Sequence, residues 1–454
     1  MKKSLQLPIS LILLLAILVS CKNQKEEKET SAKTTISDLN MEMESRLGYG
    51  DFIPNREILF PLNQEISYIG VPENLTSYVV RSFVLQKNQH YYNQYKLGQI
   101  SEEHYQKIQE IFEIDQSVLS EEMPNTELLF LIGTDTNGNR VIIPDANQNY
   151  DFSDDAPLQF EFPLEFIDED DEEFFEENQE KFLPRAQFTA DYVLRGEVTK
   201  RSFIVSVNPY ALETEMNFYA DDPNEKEYFL AVSFPKIQFT QFEVDGQEFQ
   251  LQVANNFLDP FYASNDVQFV FYKKDEEVTQ LNKIPFQLKD TVNLNNQDFQ
   301  IESISDDGKK VRLKHLGKNK KPLGSRMGNY FPLSEVNTFH GETQAFPATD
   351  KEFQLLYFWT LEEKRSLKEV PDLKEIDTSR VDIIGFSVDE NAGAADRMQY
   401  RRTMKWPNYH LPPSQHKEKM EQLKLETYPT YFLLNKDKKI IVRSLHLSEV
   451  KRNF

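Results

Sequence analysis

The sequence predicts a multi-domain chain: an α/β C-terminal domain, a β-rich antiparallel region of sandwich or barrel type before it, and a helical hairpin nearer the N-terminus. Three observations carry this. A chain of 454 residues exceeds the ~250 residues at which single hydrophobic cores stop growing. From Gln187 to about Leu316, β-branched and aromatic runs recur between short turns. Beyond Phe331 strand-like and helix-like segments alternate instead. Hydrophobic residues at 39% and aromatics at 12% supply the cores. A net charge of −23 with no dense basic stripe argues against a nucleic-acid partner. The single cysteine excludes an intrachain disulfide and a thiolate metal cluster.

Met1-Lys2-Lys3 is a basic start, and Ser4 to Ser20 is a charge-free, mostly aliphatic run, the pattern of an export signal. It is a little short of the ~20 apolar residues of a membrane span. It ends Leu18-Val19-Ser20-Cys21, which resembles the lipobox of bacterial lipoproteins. The resemblance implies that residues 1–20 are a signal peptide and that Cys21 carries the lipid, making the membrane a partner through the anchor. An ordinary signal with a chance cysteine is the alternative. Residues 21–50, polar and free of aromatics until Tyr49, read as a flexible tether. Lys25-Glu26-Glu27 is similar to an acidic export tag of surface lipoproteins, which implies the outer membrane, at its periplasmic face or the cell surface.

In residues 51–157, apolar positions from Ser77 to about Leu119 (Val79, Val80, Phe83, Tyr91, Tyr92, Tyr95, Tyr105, Ile108, Ile111, Phe112) recur at helical spacing. Gly98 supplies a break and Ser101 an N-cap, so two helices in a hairpin are expected. Asn137-Gly138 then predicts a β-hairpin. Asp145, Asn147, Asn149, Asp151 and Asp155 place oxygen side chains as in an EF-hand-like calcium loop, although Tyr150 stands where glycine eases the turn and Ala156 where a glutamate closes the shell. Calcium and an Asx-rich turn are the two readings of this loop.

Residues 158–325 form the expected β-rich domain. Leu158 to Phe166 alternate with polar residues, and Asp245-Gly246 and Asp307-Gly308 mark hairpins. Asp168 to Glu173, with Glu176, Glu177 and Glu180, is an acidic run read as a solvated segment or a docking patch for a basic partner. Gly317 to Pro322 reads as a linker.

In residues 331–454, Phe353 to Trp359 and Val381 to Val388 read as strands and Leu361 to about Ile376 as a helix, with a hairpin across Asn435 to Lys438. Phe358-Trp359-Thr360, Val370-Pro371-Asp372-Leu373, Ile384 to Asp389 and Thr427 to Leu434 come one after another in an order and spacing that resembles the membrane-anchored thiol:disulfide oxidoreductases of the TlpA and ResA type, in the thioredoxin-like (redoxin) superfamily. The resemblance implies a thioredoxin-like fold, with a peptide-docking surface at Trp359, Tyr428, Pro429 and Thr430, the proline being cis. It also implies a Cys-x-x-Cys pair at the first helix, but those positions are Glu363 and Ser366. A carboxylate forms no mixed disulfide and a serine has no thiolate-like state, so no catalytic residue is assigned. Thr360 to Glu363 instead fits a capping box, with Thr360 accepting from the amide three residues on. Trp406, His410 and His416 are expected at the surface.

The expected function is that of a cell-envelope lipoprotein whose thioredoxin-like domain lacks redox cysteines and binds or positions another envelope protein, without a cofactor unless calcium fills the Asx-rich loop. A thiol-disulfide oxidoreductase relative with residual or partner-dependent activity is the alternative, and a ligand-binding lipoprotein the third.

Overall fold

The computed structural model describes residues 37–62, 67–159, 183–209, 230–262, 266–274 and 285–454. The signal segment, Cys21, the acidic run at 168–180 and most of the strand expected at 158–166 lie outside the described residues.

Among the described residues, four antiparallel four-stranded sheets make up the region before the C-terminal domain. The first contains β4 (Phe60–Pro61), β5 (Leu75–Val84), β6 (Glu127–Asp135) and β7 (Arg140–Pro144). β6 and β7 close on the expected hairpin: Gly138 takes φ +84°, and the Asp135 carboxylate accepts from the amides of Asn137 and Asn139, each at 2.8 Å. The second contains β3 (Glu57–Ile58), β8 (Arg185–Leu194), β9 (Glu197–Asn208) and β10 (Ala231–Ser233). Phe83, Leu128, Phe130 and Ile132 of the first pack with Phe188, Val205 and Val207 of the second in one buried cluster. The 157/158 boundary drawn from sequence therefore runs through a shared core.

The third sheet contains β2 (Glu44–Leu47), β11 (Lys236–Val244), β12 (Gln247–Asn255) and β13 (Val267–Lys273). The fourth contains β1 (Leu39–Glu42), β14 (Thr291–Leu294), β15 (Gln297–Ile304) and β16 (Lys310–Lys318). Both hairpins marked by Asp-Gly are present, joining β11 to β12 and β15 to β16. β1 and β2 come from the segment expected to be tether: Leu39 lies opposite Leu313 and Lys236 opposite Leu47. Leu39 to Leu47 are thus edge strands of the folded body, and the polar side chains that made them read as linker are the surface of those edges.

The N-terminal helical hairpin is not supported as a region of its own. Ser77 to Val84 belong to β5. The chain then forms α1 (Lys87–Lys96) and α2 (Glu102–Phe112), a short excursion between two paired strands of one sheet. Tertiary pairing overrides the local pattern, because Val80 packs on one face of the sheet and Phe83 on the other. Ser101 caps α2 as expected, accepting from the His104 amide at 3.2 Å.

The C-terminal domain is one seven-stranded mixed sheet, in the order β18-β17-β21-β20-β19-β22-β23. These are β17 (Glu335–Asn337), β18 (Thr343–Ala345), β19 (Phe353–Trp359), β20 (Val381–Ser387), β21 (Asn408–His410), β22 (Thr430–Asn435) and β23 (Ile440–Ser444). β19 runs parallel to β20 and antiparallel to β22, and all seven of its residues are buried. Leu355, Tyr357 and Trp359 face one core, Leu356 and Phe358 the other. Helices α3 (Lys364–Lys368), α4 (Val370–Lys374), α5 (Ala392–Arg401), α6 (Lys417–Leu423) and α7 (Leu447–Lys451) complete it. The helix expected over Leu361 to Ile376 is broken at Glu369, with Pro371 in the first turn of α4, where a missing amide is tolerated.

Candidate functional site

Three strand ends converge on one place. β19 ends at Trp359, β20 ends at Ser387 opposite it, and β22 begins at Thr430 opposite Phe358. The turn from Thr360 to Glu363 leaves β19 here, and the cis Tyr428-Pro429 peptide leads into β22.

The capping box expected at this turn does not form. Thr360 donates its hydroxyl to Asp389 Oδ1 at 2.8 Å, and the Leu361 amide donates to the same oxygen at 2.7 Å. Asp389 Oδ2 accepts from the Ser387 hydroxyl at 2.7 Å. Asp389 is buried, so its charge is compensated by these donors. The helix starts later, with Glu363 itself as N-cap, its carboxylate accepting from the Arg365 amide at 3.1 Å. The Thr360 hydroxyl oxygen accepts from the Glu362 amide at 3.3 Å and not from the Glu363 amide, while a partner 29 positions away, invisible to a local motif, takes its proton.

Ser366 sits in the first turn of α3 with no exposed surface. Its hydroxyl oxygen accepts from the Thr360 amide at 3.4 Å, and its carbonyl accepts from the Tyr357 hydroxyl. Beneath it, Tyr431 donates to Glu369 at 2.5 Å, and Arg365 pairs with Glu369 at 3.0 Å. Burial and then the Glu369 carboxylate push both the Tyr431 and the Tyr357 hydroxyls up, so both stay protonated donors. Tyr428 is half-buried and pushed up to about 12, by burial first and then by the Asp389 carboxylate. Trp359 and Thr430 are buried, whereas Glu363 is exposed. His410, expected at the surface, is buried against the Asp389 carbonyl oxygen at 2.6 Å, where a second polar group satisfies the backbone of the same turn.

Residues 351–440 match a family model described as thioredoxin-like. The C-terminal domain is thioredoxin-like. Among solved structures, the thioredoxin domain of a thiol-disulfide oxidoreductase from Bacteroides vulgatus is 18% identical, with 28% of this chain and 94% of that chain covered and a TM-score of 0.26. A thiol-disulfide oxidoreductase from Bacteroides fragilis is 20% identical over 28% of this chain and 100% of that one, TM-score 0.24. A thioredoxin-like protein from Parabacteroides distasonis is 16% identical over 30% and 98%, TM-score 0.25. No curated protein matches.

The thioredoxin-like domain thus brings Trp359, Glu363, Ser366, Tyr428, Pro429 and Thr430 around one turn. It adds Asp389, Tyr357, Tyr431 and Glu369, which sequence reading left out of the site. The Ile384 to Asp389 segment was the available signal for Asp389. The turn itself holds a buried serine, a capping carboxylate and no thiol.

The Asx-rich loop lies elsewhere, after β7. Asp145 is buried and accepts from the amides of Asn149 and Tyr150, each at 3.0 Å. Asn147 and Asn149 donate side-chain N–H groups to Asp154, Asp151 accepts from the Ser153 amide at 2.9 Å, and Asp155 accepts from the Ala146 amide at 3.2 Å. These bonds tie the loop's side chains to its own backbone and to one another. Among the described residues, no group of three or more His, Cys, Asp or Glu is placed to hold a metal ion.

Proposed function

We propose that this chain is a cell-envelope lipoprotein, anchored through Cys21, whose thioredoxin-like domain carries no redox cysteines and binds or positions another envelope protein. One observation supports this above the others. The turn between β19 and α3 is kept in place by Asp389, yet its two key positions are an N-cap carboxylate, Glu363, and a fully buried serine, Ser366. Neither group attacks a disulfide. A maintained surface without an attacking group suits recognition.

The test places the photoreactive residue benzoylphenylalanine at Glu363, and separately at exposed Lys436 on the far hairpin, in cells making the full chain. A crosslink to one envelope protein from position 363 and not from 436 is the expected result. Absence of any crosslink at 363, or equal labelling from both positions, contradicts the reading.

A further inference from the structure

A cleft of about 810 Å³ lies between the β-rich region and the thioredoxin-like domain, away from the turn at Glu363. One wall is β14, which among the described residues pairs only with β15. Thr291 to Leu294 line the cleft, and β14 is the last strand of its sheet in the order β1-β16-β15-β14, so its outer side carries a row of backbone donors and acceptors. Phe271 and Phe286, packed edge-to-face at 5.6 Å, form an aromatic wall, and Leu323, 60% exposed, projects from the opposite segment.

The charge of the cleft opposes that of the chain. Among the described residues, its lining carries Lys273, Lys320, Arg326 and Lys439 against the single carboxylate of Asp298, with Arg326 already paired to Asp290 at 3.7 Å, in a protein of net charge −23. Asp298 is already engaged, accepting from the side-chain amides of Asn293 and Asn319, each at 2.6 Å. Lys320 and Lys439 are exposed and, among the described residues, have no ion-pair partner. The four cations come from separate segments: Lys273 at the end of β13, Lys320 just after β16, Arg326 between β16 and β17, and Lys439 just before β23. The terminal strand β14 beside them, with four residues in the lining, favours an extended occupant over a compact anion.

We propose that this cleft binds an extended acidic peptide segment of a partner protein, which adds as a strand to β14. Its carboxylates face Lys320 and Lys439, and its alternate apolar side chains lie on Phe271 and Leu323. A strand of four residues spans ~13 Å, enough to order a partner segment of four or five residues. This site is separate from the one proposed at Glu363, and each stands or falls without the other.

The probe is a fluorescein-labelled nine-residue peptide alternating glutamate with valine, titrated against the full chain by fluorescence anisotropy at 0.15 M salt. Saturable binding is expected. The Lys320→Glu/Lys439→Glu variant, altered only at exposed side chains, weakens it about tenfold or more. The same peptide N-methylated at every second backbone nitrogen on one edge loses binding to a similar extent, because strand addition needs those N–H groups. No saturable binding, equal affinity for the N-methylated peptide, or equal affinity in the double variant overturns the proposal. So does binding of an acidic oligosaccharide such as a polygalacturonate fragment where the peptide fails.

Discussion

Asp389 and Thr360 are joined across two strand ends by a buried hydrogen bond of 2.8 Å from the threonine hydroxyl to the aspartate carboxylate. The same oxygen accepts from the Leu361 amide. Asp389→Ala therefore leaves a buried hydroxyl and a part-buried backbone N–H without an acceptor, at a cost of about 2 kcal/mol. Urea unfolding of the full chain measures this, as a lower midpoint with unchanged slope. Thr360→Val, which removes a donor and leaves Asp389 its other donors, costs less, about 1 kcal/mol.

Returning thiols to the turn tests whether its framework is intact. The double variant Glu363→Cys/Ser366→Cys places one thiol at the exposed N-cap and one in the first turn. It is expected to form a reducible disulfide and to gain insulin-reducing activity, with the residue-363 thiol titrating below the usual cysteine range beside the helix N-terminus. Thiol titration with and without dithiothreitol detects the pair. A double variant that keeps two free, unreactive thiols under oxidising conditions contradicts the account of the framework.

Much of the C-terminal domain was legible in the sequence because its central strands are buried on both faces and read as unbroken hydrophobic runs, as in Phe353 to Trp359. The same double burial hid β5. With Val80 on one core and Phe83 on another, no period-2 alternation survives, and the segment imitates a helix. The resemblance singled out Glu363, Ser366 and Pro429, and the structure places Glu363 and Ser366 at the start of α3 and Pro429 in the cis peptide just before β22. Thr360 was misassigned because the local pattern of a capping box is complete there, while the decisive partner, Asp389, is remote in sequence. Leu39 to Leu47 failed for the opposite reason: edge strands with polar outer faces look like tether.

Asp259 predicts a specific pH dependence. Its carboxylate accepts from the Tyr192 hydroxyl at 3.0 Å and the Phe261 amide at 2.8 Å, and burial pushes it up to about 6, against the pull of those donors and of the Lys236 ammonium. The folded state thus holds this proton more tightly than the unfolded chain does. The stabilising contribution is full below about pH 4 and is lost as pH rises through about 6. Asp259→Asn, which keeps an acceptor and removes the charge, is expected to raise the thermal midpoint relative to the parent at pH 7.5, with the difference shrinking toward pH 4. Calorimetry at the two pH values measures it.

Cys21→Ser is expected to move the full chain from the membrane fraction to the soluble fraction and to abolish incorporation of radiolabelled palmitate. Retention in membranes after a high-salt wash would contradict anchoring at this residue.

The most direct test of the central claim, a thioredoxin-like domain that recognises without exchanging disulfides, is the reduction of insulin disulfides by the purified full chain with dithiothreitol as reductant. The predicted result is a rate equal to dithiothreitol alone, unchanged by Ser366→Ala. A rate above that background, proportional to protein concentration and lost in Ser366→Ala, would contradict it.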